Sequence, residues 1–283
     1  MIDSKKNKSR PELLISLDAR SKYLRRLVVE GMVGGGQGHL GSSLSLIEII
    51  RVLYDTILRF DPANPNFPDR DRCILSKGHG CLALYAMLVD KGFISREELA
   101  NFCRPGGMLG GHPEFGKIPG VEFSTGALGH GLSVGVGMAL SARIQKRDSR
   151  IFIILGDGEI NEGSVWEAAL TAGKYKLENL IILIDHNKMQ SYGATDYVLP
   201  LDPLVDKWQS FGFSVQEVNG HDVHELQCLL SQLSNLDGKP TAIICHTVKG
   251  KGIRFAEDSN EWHHKNNLSV DVVQSLYDAL ESV

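Results

Sequence analysis

Long apolar runs, closely spaced cysteines and a surplus of basic residues are all missing from this chain of 283 residues. No uninterrupted apolar stretch reaches the about 18 residues that a membrane-spanning helix needs, and we expect no contact with a membrane. Residues 1–10 are polar and mixed in charge, without the apolar core of a secretion signal, which predicts a cytoplasmic protein. The formal net charge of -4 at pH 7 argues against nucleic-acid binding, which depends on basic surfaces.

The five cysteines do not suggest a disulfide framework or a structural zinc site. They are odd in number, widely dispersed and include no C-x-x-C pair, the spacing typical of zinc sites. We therefore expect buried, free thiols. The cysteines are Cys73, Cys81, Cys103, Cys228 and Cys245.

The composition is that of an ordinary globular protein, with 42% hydrophobic and 23% charged residues. At about 150 residues per domain, the length allows one or two domains. No internal repeat or linker divides the sequence, and we expect a single domain over residues 1–283. The 30 glycines exceed the usual share of about 7% and cluster at 31–41, 106–111, 126–137 and 156–163. Because glycine lets the backbone approach another group closely, these clusters predict a chain wrapped around a ligand.

Short apolar runs alternate with segments of helical periodicity through most of the chain. Continuous apolar runs are typical of strands buried on both faces, and their alternation with helices indicates parallel pairing. We therefore predict an α/β fold, a doubly wound parallel sheet with helices on both faces. The predicted strands are Arg72–Leu75, Ile151–Leu155, Leu180–Ile184, Phe213–Val218 and Thr241–Cys245. The predicted helices are Pro11–Gly31, a helix from Ser42 or Ser43 to Leu58, His79–Lys91, Ser95–Phe102, Leu128–Arg147, Ser164–Ala172, Pro203–Phe211, Val223–Leu233 and Val270–Leu280, with a glycine-rich turn at Gly34–Gly41 and a long loop at Arg104–Phe123.

Polar side chains follow the predicted strands, at the edge where a parallel sheet binds its ligands. Asp157 follows one strand within Gly-Asp-Gly, and Asn187 follows the next. Carboxylate and amide oxygens suit Mg²⁺ or Ca²⁺, and Mg²⁺ is commonly shared between one or two protein groups and phosphate. Gly158 would let the backbone approach a diphosphate, and a helix starting near Gly163 would offer amide donors. The same residues also fit a plain Gly-Asp-Gly turn and an Asn-capped loop.

Five sequence blocks together resemble the transketolase family of thiamine diphosphate enzymes, over roughly residues 10–265. Gly156-Asp157-Gly158 with Asn187 is similar to the family's motif for diphosphate and magnesium. The other blocks stand in the family's order. They are Gly38-His39-Leu40-Gly41, Ser76-Lys77-Gly78-His79, Gly111-His112-Pro113-Glu114 and Ser124-Thr125-Gly126-Ala127-Leu128-Gly129-His130-Gly131.

The resemblance implies that this chain binds thiamine diphosphate with Mg²⁺, for which Ca²⁺ or Mn²⁺ could substitute. It implies that Asp157, Asn187 and the carbonyl of Met189 hold the metal. It also implies a set of residues at the organic cofactor, of which Gly126, Ala127 and Leu128 touch the aminopyrimidine ring. The others in that set are His79, Gly158, Glu162 and Asn187.

Histidines form the catalytic set that the resemblance implies. His39 and His112 match residues that line the substrate channel. His263 and His264 are adjacent where the family carries one histidine followed by glycine, and both stay candidates. Because the unperturbed pKa of histidine is near 6.5, such groups can both donate and accept protons at sugar hydroxyls. The role of His130, beside the cofactor-like segment, stays open.

Two charged features each allow two interpretations. Glu162 and Glu167 match carboxylates that face a partner subunit near the cofactor, but acids at a helix start also complement the helix macrodipole without any further role. The run of Lys249, Lys251 and Arg254 suits either phosphate binding or simple solvation.

The resemblance extends to only one domain of the family. We expect the family's pyrimidine-binding and C-terminal domains on a partner chain, since the 18 residues after Lys265 predict only a terminal helix. The resemblance therefore implies a split enzyme in which this chain is the N-terminal subunit. We expect activity only with a separate C-terminal transketolase subunit, in an α2β2 heterotetramer, with sugars or sugar phosphates as substrates.

The function implied is transfer of a two-carbon ketol unit from a ketose to an aldose. An alternative is a related thiamine diphosphate enzyme, acting on an unusual sugar or in the manner of deoxyxylulose-phosphate synthase. A second alternative, of another class, is a non-catalytic regulatory or binding subunit that keeps the fold. A nicotinamide dehydrogenase is disfavoured, because the glycines at 34–38 follow a predicted helix and not a strand.

Overall fold

Five parallel strands form the central sheet, and they are the five runs that the sequence predicts. The computed structural model describes residues 15–233 and 238–282. Along the sheet the strand order is β2-β3-β4-β6-β5, and a separate two-stranded antiparallel ribbon joins β1 to β7. In chain order the strands are β1 (Gln37–Gly38), β2 (Arg72–Leu75), β3 (Ile151–Gly156), β4 (Leu180–His186), β5 (Ser214–Asn219), β6 (Thr241–His246) and β7 (Lys265–Asn266).

The helices lie on both faces of this sheet. A π-helix over Leu53–Ile57 continues α3, and short 3-10 turns span Gly78–Gly80, Gly158–Asn161 and Asn260–Trp262. The α-helices are α1 (Ala19–Gly35), α2 (Leu40–Leu44), α3 (Ile47–Val52), α4 (Cys81–Asp90), α5 (Glu97–Ala100), α6 (Gly131–Ile144), α7 (Gly163–Lys174), α8 (Thr195–Val198), α9 (Leu204–Ser210), α10 (Val223–Ser231) and α11 (Val270–Glu281).

Alternate side chains of the strands build two separate cores. In β3, Phe152 and Ile154 pack into the core shared with α1, α3, α4, α10 and α11. Ile153 and Leu155 point the other way, into the core shared with α6, α7 and α9. Because successive residues of a strand face opposite sides, a strand covered on both faces must be apolar throughout, as β3 is. The edge strand β5 instead exposes Gln216 and Glu217. The predicted doubly wound α/β fold is thereby confirmed.

The N-terminal helix boundaries were the least accurate predictions. Residues 11–14 of the predicted Pro11–Gly31 helix lie outside the described residues, and α1 begins at Ala19. Asp18 caps it, its side chain accepting a hydrogen bond from Ser21 N at 2.8 Å. The helix then runs on to Gly35, so the predicted turn at 34–41 is wrong in its first two residues. Gly34 lies within α1 directly against the backbone of α5, where a Cβ would lie 2.6 Å from Ala100 Cα, so the position requires glycine although it is helical.

The second predicted helix is also misplaced at its start. It begins at Leu40, with His39 at the N-cap position, and not at Ser42 or Ser43. Ser43 lies inside the turn, where its hydroxyl donates to the His39 carbonyl at 2.9 Å. The segment is then broken into α2, α3 and the π-helix.

Two further expectations need correction. The helix predicted from Leu128 starts at Gly131, which leaves 126–129 as a non-helical turn before it. All five cysteines are free, as predicted, but Cys228 is exposed and Cys103 only half-buried. No helix among the described residues is long and apolar enough to cross a membrane.

A pair of glycine variants tests the close packing of α7. At Gly173 a Cβ would lie 1.9 Å from the Phe211 carbonyl oxygen, so Gly173→Ala must displace backbone. We expect it to lower the free energy of unfolding by about 1–3 kcal/mol. Gly137, within α6, has no described atom within 4 Å of its Cβ position. Gly137→Ala should instead stabilise by roughly 0.5–1 kcal/mol, because alanine loses less backbone entropy in a helix. Urea unfolding of the two variants measures both, and equal stability would contradict the packing described.

Candidate functional site

The carboxyl ends of β2, β3 and β4 open into a cavity of about 200 Å³. The parallel register explains why. Gly156 pairs with Asp185 across β3 and β4, so the residues that follow these two strands emerge side by side. Most of the predicted site residues line the cavity, namely His39, His79, Gly126, Leu128, Asp157, Gly158, Asn187, Met189 and His263.

Asp157 and Asn187 present oxygen atoms at the floor of the cavity. The two Asp157 carboxylate oxygens accept hydrogen bonds from Gly158 N at 2.7 Å and Lys188 N at 2.5 Å. The Asn187 amide oxygen accepts one from Met189 N at 3.0 Å. Burial raises the pKa of Asp157 to about 7, and the negative charge of Asp185 is the second-largest cause of this rise. A bound cation would reverse that shift, because it favours the charged carboxylate.

A buried ion pair lies directly behind this floor. Lys77 Nζ donates to Asp185 Oδ2 at 2.5 Å, and both side chains are almost fully buried. Asp185 also accepts hydrogen bonds from Ser45 at 2.7 Å and Asn187 at 3.0 Å. Burial alone would raise the pKa of Asp185, but the charge of Lys77 and these donors hold it below its usual range. Asp185 directly follows the predicted strand Leu180–Ile184 and Lys77 belongs to the Ser-Lys-Gly-His block, but neither pattern predicts that the two side chains pair.

Lys249 brings a second ammonium group to the cavity. Its Nζ lies 3.3 Å from the Met189 carbonyl, 3.4 Å from the Gln190 carbonyl and 2.8 Å from His263 Nδ1. Because an ammonium has no acceptor, His263 Nδ1 accepts this bond. Burial, and next the charge of Lys77, lower the pKa of Lys249 to about 8. The sequence left open whether this charge run binds phosphate or is simply solvated. Lys249 is buried, so simple solvation is wrong for it, whereas Arg254 is exposed to solvent.

Gln190 is a site residue that sequence analysis did not single out. It lines the cavity, and its amide nitrogen is buried without a hydrogen-bond partner among the described residues. Gly158 lies against it, since a Cβ there would be 2.8 Å from Gln190 Cγ. An unpaired buried donor is costly, and it indicates an acceptor that binds at this point. No sequence signal marked it, because glutamine is common in loops.

Five histidines surround the mouth of the cavity, and we call them the histidine cluster. The His39 ring stands at the centre. Its centroid lies 5.4 Å from His79, 6.5 Å from His112, 5.4 Å from His263 and 4.6 Å from His264. His263 lines the cavity, whereas His264 and His112 are exposed at its rim. The blocks that carry these residues are far apart in sequence, and the fold brings them together.

The environment keeps the inner histidines neutral at neutral pH. Burial, followed by the neighbouring histidines, lowers the pKa of His39 to about 3. Burial and the charge of Lys249 lower the pKa of His263 to about 4. Burial also depresses the pKa of His79 and of His112. A neutral imidazole offers one donor and one acceptor, so these rings can bind hydroxyls and pass protons.

The glycine-rich segment 126–129 forms one wall of the cavity. Gly126 has a φ of +135°, and a Cβ there would lie 3.0 Å from the His112 ring. Glu159, which sequence analysis gave no role, anchors the segment by accepting hydrogen bonds from Gly129 N at 2.9 Å and Ser76 Oγ at 2.5 Å. The wall therefore depends on a buried carboxylate at the end of β3.

Several predicted residues stand away from the cavity. Ala127 is exposed next to the lining residues. Glu162, at the N-cap of α7, and Glu167, within α7, are exposed as well. Neither carboxylate is among the described residues that line the cavity, and their role at a subunit interface stays a prediction. His130 is exposed, its Nδ1 3.0 Å from the Leu128 carbonyl.

Comparison with known families identifies this arrangement. The model of the transketolase thiamine diphosphate binding domain matches residues 18–280. The chain belongs to the transketolase family. It is 43% identical over 253 residues to the 6-deoxy-6-sulfo-D-fructose transketolase subunit SqwG of Clostridium sp. (strain MSTE9), covering 89% of this chain and 92% of the relative. It is 42% identical over 249 residues to an apulose-4-phosphate transketolase subunit from Phocaeicola vulgatus, covering 88% of each.

Solved transketolases share the fold but are much longer. The transketolase of Pichia stipitis in complex with sedoheptulose-7-phosphate superposes with a TM-score of 0.86 at 30% sequence identity. That match covers 93% of this chain and 40% of the yeast chain. This transketolase family member therefore spans less than half the length of such full-length enzymes.

The residues at the cavity suit thiamine diphosphate and a divalent cation. The carboxylate of Asp157, the amide of Asn187 and the carbonyl of Met189 are hard oxygen ligands of the kind Mg²⁺ prefers. Gln190 Nε2 and Lys249 Nζ supply donors for phosphate oxygens. Among the residues that the structure describes, no three His, Cys, Asp or Glu side chains gather around a metal position. A cation here would therefore draw on amide and backbone oxygens.

The depressed pKa of His39 predicts an acid-sensitive fold. An unfolded histidine binds a proton near pH 6.5, whereas His39 in the folded chain does so only near pH 3. The unfolded state therefore takes up the proton first, so stability is greatest above pH 6.5 and falls as the pH drops towards 3. His39→Asn should flatten this part of the curve. Urea unfolding at several pH values measures the effect, with the exposed His224→Asn as the control. An unchanged slope in His39→Asn would contradict the buried, neutral state of His39.

Proposed function

We propose that this chain is the N-terminal, diphosphate-binding subunit of a split transketolase. It would transfer a two-carbon ketol unit from a ketose to an aldose, using thiamine diphosphate and Mg²⁺, with Ca²⁺ or Mn²⁺ as substitutes. The observation that carries the proposal is one cavity that joins hard oxygen ligands, phosphate donors and the histidine cluster. A non-catalytic subunit would have no use for so many buried, mutually destabilising polar groups.

The chain's own residues divide into two sets of tasks. Asp157, Asn187 and the Met189 carbonyl would hold the metal, while Lys249 and Gln190 would donate to the phosphate oxygens. Their burial excludes water, which strengthens each of these interactions. When bound, thiamine diphosphate supplies the carbon nucleophile of ketol transfer, and the protein supplies binding, orientation and proton transfer.

The histidine cluster would handle the protons and hydroxyls of the sugar. His39 and His263 both line the cavity as neutral rings, and His39 can accept a proton from a hydroxyl or donate to a carbonyl oxygen. Because His263 Nδ1 already accepts from Lys249, its Nε2–H can only donate, which suits a carbonyl or hydroxyl oxygen of the sugar. His112 and His264, at the rim, would contact the more distant part of the sugar. Of the two adjacent candidates, His263 is favoured for the inner role, because Lys249 fixes its ring through Nδ1 at 2.8 Å.

We propose as partner a second chain that supplies the other domains of the transketolase family. Two observations support it: relatives of nearly equal length are named as transketolase subunits, and full-length enzymes extend well beyond this match. We propose an α2β2 heterotetramer with the cofactor at the subunit interface, where Glu162 and Glu167 would face the partner. Free cysteines suit the reducing cytoplasm, which we propose as its location.

The substrate class is an anionic sugar. The two relatives named above are described as acting on 6-deoxy-6-sulfo-D-fructose and apulose-4-phosphate. Both sugars carry an anionic group, a sulfonate or a phosphate, at the end of the molecule opposite the two-carbon ketol unit. We therefore propose a sugar phosphate or a sugar sulfonate as donor or product, and not only the common pentose phosphates.

Reconstitution from two purified chains tests the proposed function. The full chain is mixed with a candidate C-terminal transketolase subunit, thiamine diphosphate and Mg²⁺, and ketol transfer is assayed with xylulose 5-phosphate, 6-deoxy-6-sulfofructose and apulose 4-phosphate. Activity in the mixture, and in neither chain alone, is the expected result. A cofactor-loaded complex that transfers nothing from any donor would contradict ketol transfer.

One pair of variants makes the same assay residue-specific. Asp157→Asn should reduce transfer by more than about 100-fold, since even indirect partners of a metal cost 10- to 100-fold. The matched control is Asp206→Asn, an exposed carboxylate on α9. Equal losses in the two variants, or none in Asp157→Asn, would exclude Asp157 from the metal site.

A further inference from the structure

The ammonium of Lys249 reaches the cavity from a buried backbone segment that follows β6. This segment, residues 247–252, leaves the sheet and turns through two glycines with positive φ, +83° at Gly250 and +92° at Gly252. Gly250 N donates to the Gly41 carbonyl at 3.0 Å, which joins the segment to α2. The other hydrogen bonds that hold this segment involve a group of buried polar and charged side chains.

Arg25 of α1 supports the segment from below. It is fully buried, and its Nε donates to the Lys251 carbonyl at 2.8 Å. A Cβ on Gly252 would lie 2.9 Å from that Nε, so the guanidinium fills the space directly under the turn. Glu48 of α3 pairs with Arg25 through two hydrogen bonds, of 2.6 and 3.0 Å.

His221 connects this ion pair to the segment a second time. Its Nδ1 lies 2.8 Å from Glu48 Oε2, and its Nε2 accepts a hydrogen bond from Val248 N at 2.9 Å. Because a backbone N–H can only donate, Nε2 carries no proton, and Nδ1–H must donate to Glu48. The ring is thereby held in one tautomer and one orientation, beside the residue that precedes Lys249.

The charge state of this network is fixed as well. Burial opposes ionisation of Glu48, but the charge of Arg25 and the donors of Arg25 and His221 hold its pKa well below the usual range. The three side chains come from α1, α3 and the turn before α10, so three elements meet at residues 247–252. None of the three is among the residues that line the cavity.

We propose that Arg25, Glu48 and His221 are positioning residues, which hold residues 247–252 so that the Lys249 ammonium faces the cavity. The structure assigns His221 the decisive link, because it joins the ion pair directly to the residue next to Lys249. This inference rests on the proposed function only where it concerns the cofactor. The position of Lys249 itself can be measured without any ligand.

Two polar replacements of His221 test whether its hydrogen bond with Val248 N matters, or only the presence of a polar group at this buried position. In His221→Gln the terminal amide extends to the place of Nε2, where its oxygen can still accept from Val248 N. In His221→Asn the amide stands near the place of Nδ1, can donate to Glu48 and is too short for Val248. Asp71→Asn is the control for loss of buried charge interactions. Asp71 is a buried carboxylate that pairs with Arg59 and Arg150 at the opposite edge of the sheet.

The first readout is chemical labelling of amines in the full chain with acetic anhydride, followed by mass spectrometry. Lys249 and Lys77 are each 1% exposed, so both should be protected in the wild type. In His221→Asn, Lys249 should be labelled several-fold faster while Lys77, held by Asp185, stays protected. His221→Gln and Asp71→Asn should label like the wild type. Should His221→Asn not fold, His221→Ser removes the same link, because its hydroxyl is too short to accept from Val248 N, and it should give the same selective exposure.

The second readout is the Kd of thiamine diphosphate with Mg²⁺ for the complex with the partner subunit. His221→Asn should weaken binding by about 10-fold, the lower end for indirect partners of a bound metal, and His221→Gln should restore most of it.

Each pattern of results decides one of the two claims. Continued protection of Lys249 in His221→Asn, or equal exposure of Lys249 and Lys77, would overturn the positioning inference, since the second result marks general loosening. Selective exposure of Lys249 in a protein whose wild type binds no cofactor would support positioning and contradict the proposed function.

Discussion

The carboxylate of Asp185 is fully buried at the end of β4, and four side chains from different parts of the chain donate to it. Lys77 comes from the end of β2, Ser45 from between α2 and α3, Asn187 from the turn after β4, and Thr247 from the end of β6. Removing any donor from a buried charge is costly, so this one carboxylate fixes the relative positions of four segments. The cavity, the Asn187 amide and the start of residues 247–252 all depend on it.

Several charged and polar groups at the cavity have shifted pKa values or lack a hydrogen-bond partner among the described residues. Lys77 is neutralised by Asp185, whereas the cavity itself is faced by Lys249 with a lowered pKa, by the unpaired amide nitrogen of Gln190 and by Asp157 with a raised pKa. Such an arrangement lowers the stability of the chain and favours a ligand that carries both phosphate oxygens and a cation. Sites prepared in this way bind tightly, because little reorganisation is required when the ligand arrives.

The strand runs and strand-end residues were predictable because each is a local pattern. Ile151–Leu155 and Leu180–Ile184 are unbroken apolar runs, and the rule that parallel sheets bind at their carboxyl ends correctly places Asp157 beside Asn187. The partners of Lys77, Glu48 and His221 were not predictable, since they join residues 108 and 173 positions apart. The extension of α1 through Gly34 and Gly35 was missed because glycine has a low helix propensity. The close contacts that require glycine at these two positions come from residues 99–102, far along the chain. Burial separates Lys249 from Arg254, which the sequence alone treats alike.

We propose that a divalent cation and a diphosphate meet between the ends of β3 and β4. A crystal of the two-chain complex grown with thiamine diphosphate and Mn²⁺ would locate the metal directly by its anomalous scattering. The account predicts one strong peak within coordination distance of the Asp157 carboxylate, the Asn187 amide oxygen and the Met189 carbonyl, with phosphate oxygens beside Lys249 and Gln190. A peak elsewhere, or cofactor density without metal at Asp157, would contradict it.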